Sequence, residues 1–451
     1  MWRPKVVDLL LCLLLGALPA IAGEHAGDRR WSGEVKLPAA VTIPRGATLT
    51  IAAGTRIIPG APGVIITVNG RLVVDGTGAA PVIFQAPSGW QGIHFVDGDN
   101  GSRITHARFA RAATALAVTA TAFAVADSEF HGCEIAVKLT REARPRIENS
   151  WFVDNVIGID SEMKSVPTIR NNRFSGHTKA AILASHASGG TIIGNRFVEN
   201  QRGISLIQHF AGQIADNLFS SNETAIFCNQ TQDTPRIERN RFEENRVGIA
   251  NTSFAYPVIV QNQFMANETA VHNDQYGIAL IEYNLFRDNG TALHNNRKSS
   301  PTVRLNRFEG NRLALYCDYA SYPVVKRNNF SGNAMAIRMG QFQSFDWEKR
   351  YGAKLAVQRE AAGWSGRNPT AVNLPAAAAP VLDVSANWWG KDTAQMAAIG
   401  DNGNVAIFYD GYDQPEVTYE GYGPENYLLD RIKYAPWLKD AVPEAGVRGR
   451  P

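Results

Sequence analysis

At 451 residues the chain is about three average domains long, unless it is one elongated array of repeats. Charged residues are 19%, below the ~25% of an ordinary soluble domain, and an apolar share of 45% supplies a large core, which excludes wholesale disorder. Lys and Arg number 45 against 42 Asp and Glu, a formal charge of +3, too balanced for a nucleic-acid binder that relies on many phosphate contacts.

Arg3 and Lys5 precede an apolar run, Leu9 to Leu18, and Ala20-Ile21-Ala22 supplies a small-x-small cleavage pattern. Residues 1–22 are therefore expected to be a signal peptide, cleaved after Ala22 to leave Gly23. The run is too short to span a bilayer comfortably, and no later stretch approaches ~20 apolar residues, so a periplasmic or secreted product without a transmembrane anchor is expected. Beyond the leader stand Cys133, Cys228 and Cys317, an odd number for an oxidising compartment. They read as buried small hydrophobes rather than a redox or metal set.

Residues 23–104 read as an N-terminal cap and first coils: Val41-Thr42-Ile43 and Leu49-Thr50-Ile51 alternate around the turn Pro44-Arg45-Gly46, and Val64 to Val74 is followed by Asp75-Gly76. Over residues 105–340 one phrase recurs, N-x-F-x-x-N-x-x-x-[IVL], as in Asn195-Arg196-Phe197-Val198-Glu199-Asn200 and Asn240-Arg241-Phe242-Glu243-Glu244-Asn245. Its aromatic falls at Phe109, Phe130, Phe152, Phe174, Phe197, Phe219, Phe242, Phe264, Phe286, Phe308 and Phe330, in steps of 21 to 23 residues.

A period of about 22 without a helical 3.6-residue pattern fits one turn of a parallel β-solenoid with three short strands per coil. Leucine-rich repeats share the period but need an L-x-x-L-x-L phrase that is absent. The Phe and the following Ile, Val or Leu should point inward. The Asn two before the Phe, from Asn172 to Asn328, and the Asn three after it, from Asn155 to Asn333, should form structural ladders at coil corners, where Asn tolerates left-handed dihedrals and bonds the Asn of the next coil. His177 interrupts the second ladder and reads as a local substitution.

After Phe330 the next aromatic in register is Trp389, 59 residues on, so residues 341–385 are expected to hold a lateral insertion, with a helical piece around Asp346 to Ala362 and an Ala/Pro-rich linker, Pro375 to Pro380. Residues 386–451, opening on Asn387-Trp388-Trp389-Gly390, should form the last coil and a Trp-rich C-terminal cap.

The repeat, the opening Ile43-Pro44-Arg45-Gly46-Ala47-Thr48-Leu49-Thr50-Ile51 and the closing Tyr434-Ala435-Pro436-Trp437-Leu438 resemble those of the right-handed parallel β-helix superfamily. Within it, the chain is similar to secreted bacterial proteins with short Asn-rich repeats, of the NosD-like and the carbohydrate-binding and sugar-hydrolysis types. The resemblance implies an all-β, right-handed solenoid over nearly the whole chain. It leaves activity open, because this solenoid carries lyases, hydrolases, epimerases and proteins without catalysis.

Phrases of the enzymes on this fold are incomplete here. No Asp-Asp pair exists; Arg431-Ile432-Lys433 lies outside the repeats; Gln232-Asp233-Thr234 lacks its Asp-rich counterpart one coil on; Arg144-Pro145-Arg146 has the wrong spacing for R-x-P-x-x-R. What remains is a strip just after the inward Ile. There Asp274 and Asp318 share a register two coils apart, ~9.6 Å by the stacking rise and close to the separation used by inverting glycosidases. They are the candidate catalytic pair. Tyr256, Tyr276, Tyr319, Tyr322 and His209 are the candidate glycan platforms, since aromatic faces beside polar groups suit sugar rings; the same positions also suit ordinary loop tips.

His272 and His294, eight after their Phe in adjacent coils, should stack, with Cys228, Cys317 and Met339 in the next column. The NosD-like resemblance brings copper into view, but alternate strand residues point to opposite faces, and neither a metal nor another cofactor is expected. The expected partner is a polysaccharide or cell-surface glycan bound along one face. A polysaccharide hydrolase or lyase is the alternative, and an envelope assembly role with a protein partner the third.

Overall fold

The computed structural model describes residues 27–99, 101–349, 380–419 and 425–448. The expected signal peptide, and most of the expected helical piece and linker of the 341–385 insertion, lie outside them; residues 345–349 are helical. Three parallel sheets run along the chain. The first has 14 strands, from Arg29–Trp31 to Val324–Lys326; the second 14, from Glu34–Leu37 to Asn329–Ser331; the third 15, from Val41–Ile43 through Met335–Met339 to Phe408–Tyr409. Each coil gives one strand to each sheet, and each strand pairs with its counterpart one coil on. The period of about 22 residues is this repeat unit. Among the described residues no helix is long and apolar enough to cross a membrane.

In the regular coils the second-sheet strands are three residues long with the middle one buried, as in Arg196–Val198 and Arg241–Glu243. Alternation at period two sends the Phe inward and its neighbours out. From Phe84 to Phe330 the rings stack with centroids 4.6–4.9 Å apart and planes within 13°. Trp389 continues the column 4.6 Å beyond Phe330. The column opens one coil earlier than the repeat phrase shows, because Phe84 sits on a nine-residue strand, Val82–Trp90, whose register shifts against the next coil and stretches the step.

Both Asn ladders form inside the corners. From Asn172 to Asn387, each Asn Oδ1 accepts the backbone N–H of the preceding ladder residue at 2.8–3.0 Å and, from Asn195 on, also its Nδ2 at 3.0–3.1 Å. Toward the N-terminus Ser150 and Ser128 take the same place with shorter side chains. The left-handed residue, however, is the one before the ladder Asn: Asp216, Arg239, Gln261, Tyr283 and Leu305 have φ between 53° and 58°, whereas the ladder Asn residues do not. The Asn is selected for its two-sided amide, which satisfies buried backbone groups, and the dihedral tolerance expected of it falls to its neighbour.

In the second ladder His177 replaces Asn as a rung. Its Nδ1 lies 2.8 Å from Asn200 Oδ1, an acceptor, and its Nε2 3.4 Å from Asn155 Nδ2, a donor, so the neutral Nδ1–H tautomer fits both. Burial holds its pKa down, at about 4. The three cysteines are free and buried, and burial pushes their thiols up, to about 11 for Cys133 and about 12 for Cys228 and Cys317. Between Cys228 and Cys317 the inward column of the third sheet holds a third ladder that the repeat phrase does not reveal: Asn251 Nδ2 donates to Asn273 Oδ1 at 2.8 Å and Asn273 Nδ2 to Asn295 Oδ1 at 2.9 Å.

At the C-terminal end Trp389, Phe408 and Tyr434 pack in series over the last Phe. A helix, Thr393–Ile399, and an antiparallel pair, Glu416–Tyr419 with Glu425–Leu428, complete the described closure.

Candidate functional site

On the outer face of the third sheet, a register that is mixed in earlier coils, with His94, Lys138, Asp160 and Phe227 among Ala117, Leu183, Ser205 and Ala250, ends in an unbroken run of rings and one guanidinium. His272, His294, Tyr316, Arg338 and Tyr409 occupy one register. The His272 and His294 centroids are 4.6 Å apart, Tyr316 meets His294 edge-on at 4.7 Å, and the Arg338 guanidinium lies over the Tyr409 ring at 5.1 Å. Burial lowers both histidines, His294 to about 4 with His272 adding to the effect, so both rings are neutral near pH 7.

Asp318 stands beside this column. Its Oδ2 accepts the Tyr316 hydroxyl at 3.1 Å, and its Oδ1 accepts the backbone N–H groups of Tyr319 at 2.9 Å and Phe342 at 2.8 Å. Burial raises the Asp318 pKa against those bonds; burial and then the Asp318 charge raise that of Tyr316. Gly340 follows one coil on, and a Cβ there would lie 2.2 Å from Asp318 Oδ2 and 2.3 Å from the Tyr316 hydroxyl. Only glycine leaves this pair its space.

Where the C-terminal closure folds back over the sheet, a half-open cavity of about 840 Å³ forms. Thr291, His294, Asn296, Arg312, Tyr316, Asp318, Tyr319 and Arg338 line its floor, and Gln341, Tyr409, Gln414 and Leu429 its wall.

The sequence-predicted residues are spread around it. Asp318 and Tyr319 line the cavity; Tyr319 also packs on Phe342 at 4.4 Å. Asp274 lies two coils back, 6% exposed, and is gripped by Arg297 through Nε at 2.7 Å and a terminal nitrogen at 2.5 Å. Tyr276 stacks on Phe254 at 5.1 Å. The Tyr256 hydroxyl is buried, with no hydrogen-bond partner among the described residues. His209, far toward the N-terminus, faces the Asp233 carboxylate at 3.4 Å. Tyr322 donates to Asp430 at 2.7 Å, tying solenoid to cap; Asp430 is held at about 6 by burial.

Tyr316 and Arg338 were legible as the continuation of the His272–His294 register by 22 residues each. Tyr409 and Gln414 come from the closure, and no repeat announces them. The soft residue types do not converge: His272 and His294 face outward, while Cys228, Cys317 and Met339 line the interior. Among the described residues no three His, Cys, Asp or Glu side chains group as metal ligands.

Two family models match, a right-handed beta helix region over residues 114–264 and the periplasmic copper-binding protein NosD over residues 223–356. The chain is a right-handed parallel β-helix protein. No curated protein matches this β-helix. Among solved structures it is similar to a mutant of the periplasmic alginate epimerase AlgG, at 12% identity and TM-score 0.43 over 68% of this chain and 78% of that one. It is also similar to the catalytic unit of a thermostable GH87 α-1,3-glucanase from Streptomyces thermodiastaticus strain HF3-3, at 11% identity and TM-score 0.38, covering 68% of this chain and 58% of the glucanase. An alginate lyase from Paenibacillus sp. str. FPU-7 matches at 11% identity and TM-score 0.31, over 53% of this chain and 93% of the lyase.

Proposed function

We propose that this is an exported protein that binds polysaccharide or cell-surface glycan, with the cavity under the C-terminal closure as its principal seat. The observation that carries the reading is the cavity's lining: ring faces from Tyr316, Tyr319, Tyr409 and His294 stand beside the polar ends of Asn296, Arg312, Arg338 and Gln414 in a space of about 840 Å³, room for a few sugar residues. Tyr276, Tyr256 and His209 lie further along the solenoid, where a longer chain would run. The test is a glycan-array screen followed by titration of each hit. Retention of a glycan family, weakened by Tyr409→Ala, supports the reading; an array without hits removes it.

A second reading, polysaccharide turnover, is favoured by one observation. Asp318 is a buried carboxyl of raised pKa, bonded to a phenol inside a cavity, a setting that suits proton transfer. Asp274 would act in it only after leaving Arg297. Reducing-sugar and unsaturated-uronate assays on each bound glycan decide: product that Asp318→Asn abolishes makes the protein an enzyme, and binding without product leaves it a recognition module. An envelope assembly role gains no specific support from the geometry, and the separation of His272 and His294 from Cys228, Cys317 and Met339 does not fit the copper site that the NosD match brings to mind.

A further inference from the structure

Resting on the glycan reading, we infer that the cavity is built for an anionic saccharide, one bearing carboxylate or sulfate groups, which Arg312 and Arg338 neutralise. Elsewhere on the solenoid surface some arginines sit against carboxylates of the same or a neighbouring coil, such as Arg103 with Asp75 at 2.9 Å, Arg239 with Asp216 at 3.2 Å, Arg287 with Glu309 at 2.7 Å, and Arg304 with Glu282, and others stand singly on the surface; what distinguishes Arg312 and Arg338 is that two such cations share one cavity. Arg312 and Arg338 have no carboxylate partner among the described residues, although both line the cavity and are exposed. Arg338 is instead poised over Tyr409, which orients its fork without neutralising it.

The carboxylate that shares the cavity does not fill that role. Asp318 accepts three protein hydrogen bonds, from Tyr316, Tyr319 and Phe342, and among the described residues it forms no ion pair with either guanidinium. His294 is neutral near pH 7 and adds no charge of its own. The cavity therefore offers two planar, unneutralised forks of five donors each, a geometry that matches carboxylate or sulfate oxygens two at a time. A neutral sugar would offer both guanidinium groups hydroxyl acceptors but no opposite charge.

The experiment titrates the purified protein, at low and at high salt, with three oligosaccharides of equal length: an oligogalacturonide, a sulfated galactan oligomer and an uncharged cello-oligosaccharide. At least one anionic probe should bind ten-fold or more tightly than the neutral one and weaken several-fold at high salt, and the better anionic probe identifies the acidic group. Arg338→Gln and Arg312→Gln should each weaken that binding about ten-fold with an unchanged thermal midpoint, and Arg312, remote from the Tyr409 stack, guards against a folding effect. Equal binding of the neutral probe, with both variants silent, would overturn the charge inference and leave the glycan reading standing. Failure of all three probes would overturn the charge inference, while the array alone decides the glycan reading.

Discussion

The second sheet and the C-terminal end of the third sheet are built from the same coils, yet they use their residues in opposite ways. In the second sheet each coil repeats the one before it: Phe on Phe, Asn on Asn, every amide satisfied by its copies. The outer register of the third sheet does not repeat, running from Lys138 and Asp160 through Phe227 and Ala250 to His294, Tyr316, Arg338 and Tyr409, and at its end it lies next to a glycine that the Asp318–Tyr316 pair requires. Repetition in a solenoid solves the backbone problem, because any residue that satisfies itself across one coil step satisfies itself across all of them. Departure from repetition is what a site needs, since a ligand is not periodic in the same way.

The comparison can be broken most sharply in the Phe column. Phe242 is fully buried between Phe219 and Phe264, so Phe242→Ala removes two ring contacts and opens a cavity, a loss of roughly 3–5 kcal/mol. His294→Ala, on the outer face, should cost less than half as much in the same denaturant titrations; equal losses would mean that the two faces are not energetically distinct. Next in size is Asn240→Ala. Asn240 Oδ1 accepts from Asn217 N and Nδ2, each at 3.0 Å, and its Nδ2 donates to Ile214 O at 2.8 Å and Asn262 Oδ1 at 3.1 Å. Removing the amide leaves buried backbone groups unpaired and should destabilise by roughly 3–4 kcal/mol, with faster hydrogen exchange at the Asn217 amide as the local readout.

His177 sharpens the comparison within the ladder itself. Its folded pKa of about 4 lies below the ordinary value of 6.5 because burial disfavours the cation, and because protonated Nε2 would face the Asn155 donor. Between those values the unfolded chain binds the extra proton. This contribution to stability is therefore complete above about pH 6.5 and is lost as pH falls toward 4, by at most about 3 kcal/mol. His177→Asn restores the repeat residue and removes the titrating ring, so wild type should lose up to about 3 kcal/mol of stability relative to the variant as pH falls from 6.5 toward 4. A difference that stays constant across pH 4 to 7 would mean that the imidazole does not titrate as a rung.

Much of the fold was legible because it is periodic. The spacing from Phe109 to Phe330 gives the coil length, and the two Asn positions give the corners. Phe84 was missed because Val82–Trp90 is longer than its counterparts, and the inner ladder Asn251–Asn273–Asn295 because only three coils carry it. For the candidate site, Asp318 and Tyr319 were found through their register, and Tyr316 and Arg338 lay in a register followed only as far as His294. The wall formed by Tyr409 and Gln414 depends on how the closure folds back over the sheet, a long-range event that no local period records.

The smallest expected effect separates surface charge from site charge. Arg287 is about half exposed, and its guanidinium meets Glu309 at 2.7 Å, with Arg307 on the same carboxylate. Its pKa is raised first by that hydrogen bond and then by the charge of Glu309, so the pair is real, but water screens it and leaves Glu309 another partner. Arg287→Gln should change stability by less than about 1 kcal/mol, less again at high salt, and should leave glycan affinity untouched. Arg338→Gln should do the reverse, sparing the thermal midpoint and removing affinity. The two substitutions delete the same charge from the same solenoid, so any difference between them in a paired titration and melting experiment measures what the neighbours of each arginine do. In one case they neutralise it, and in the other they leave it over the Tyr409 ring with no carboxylate partner among the described residues.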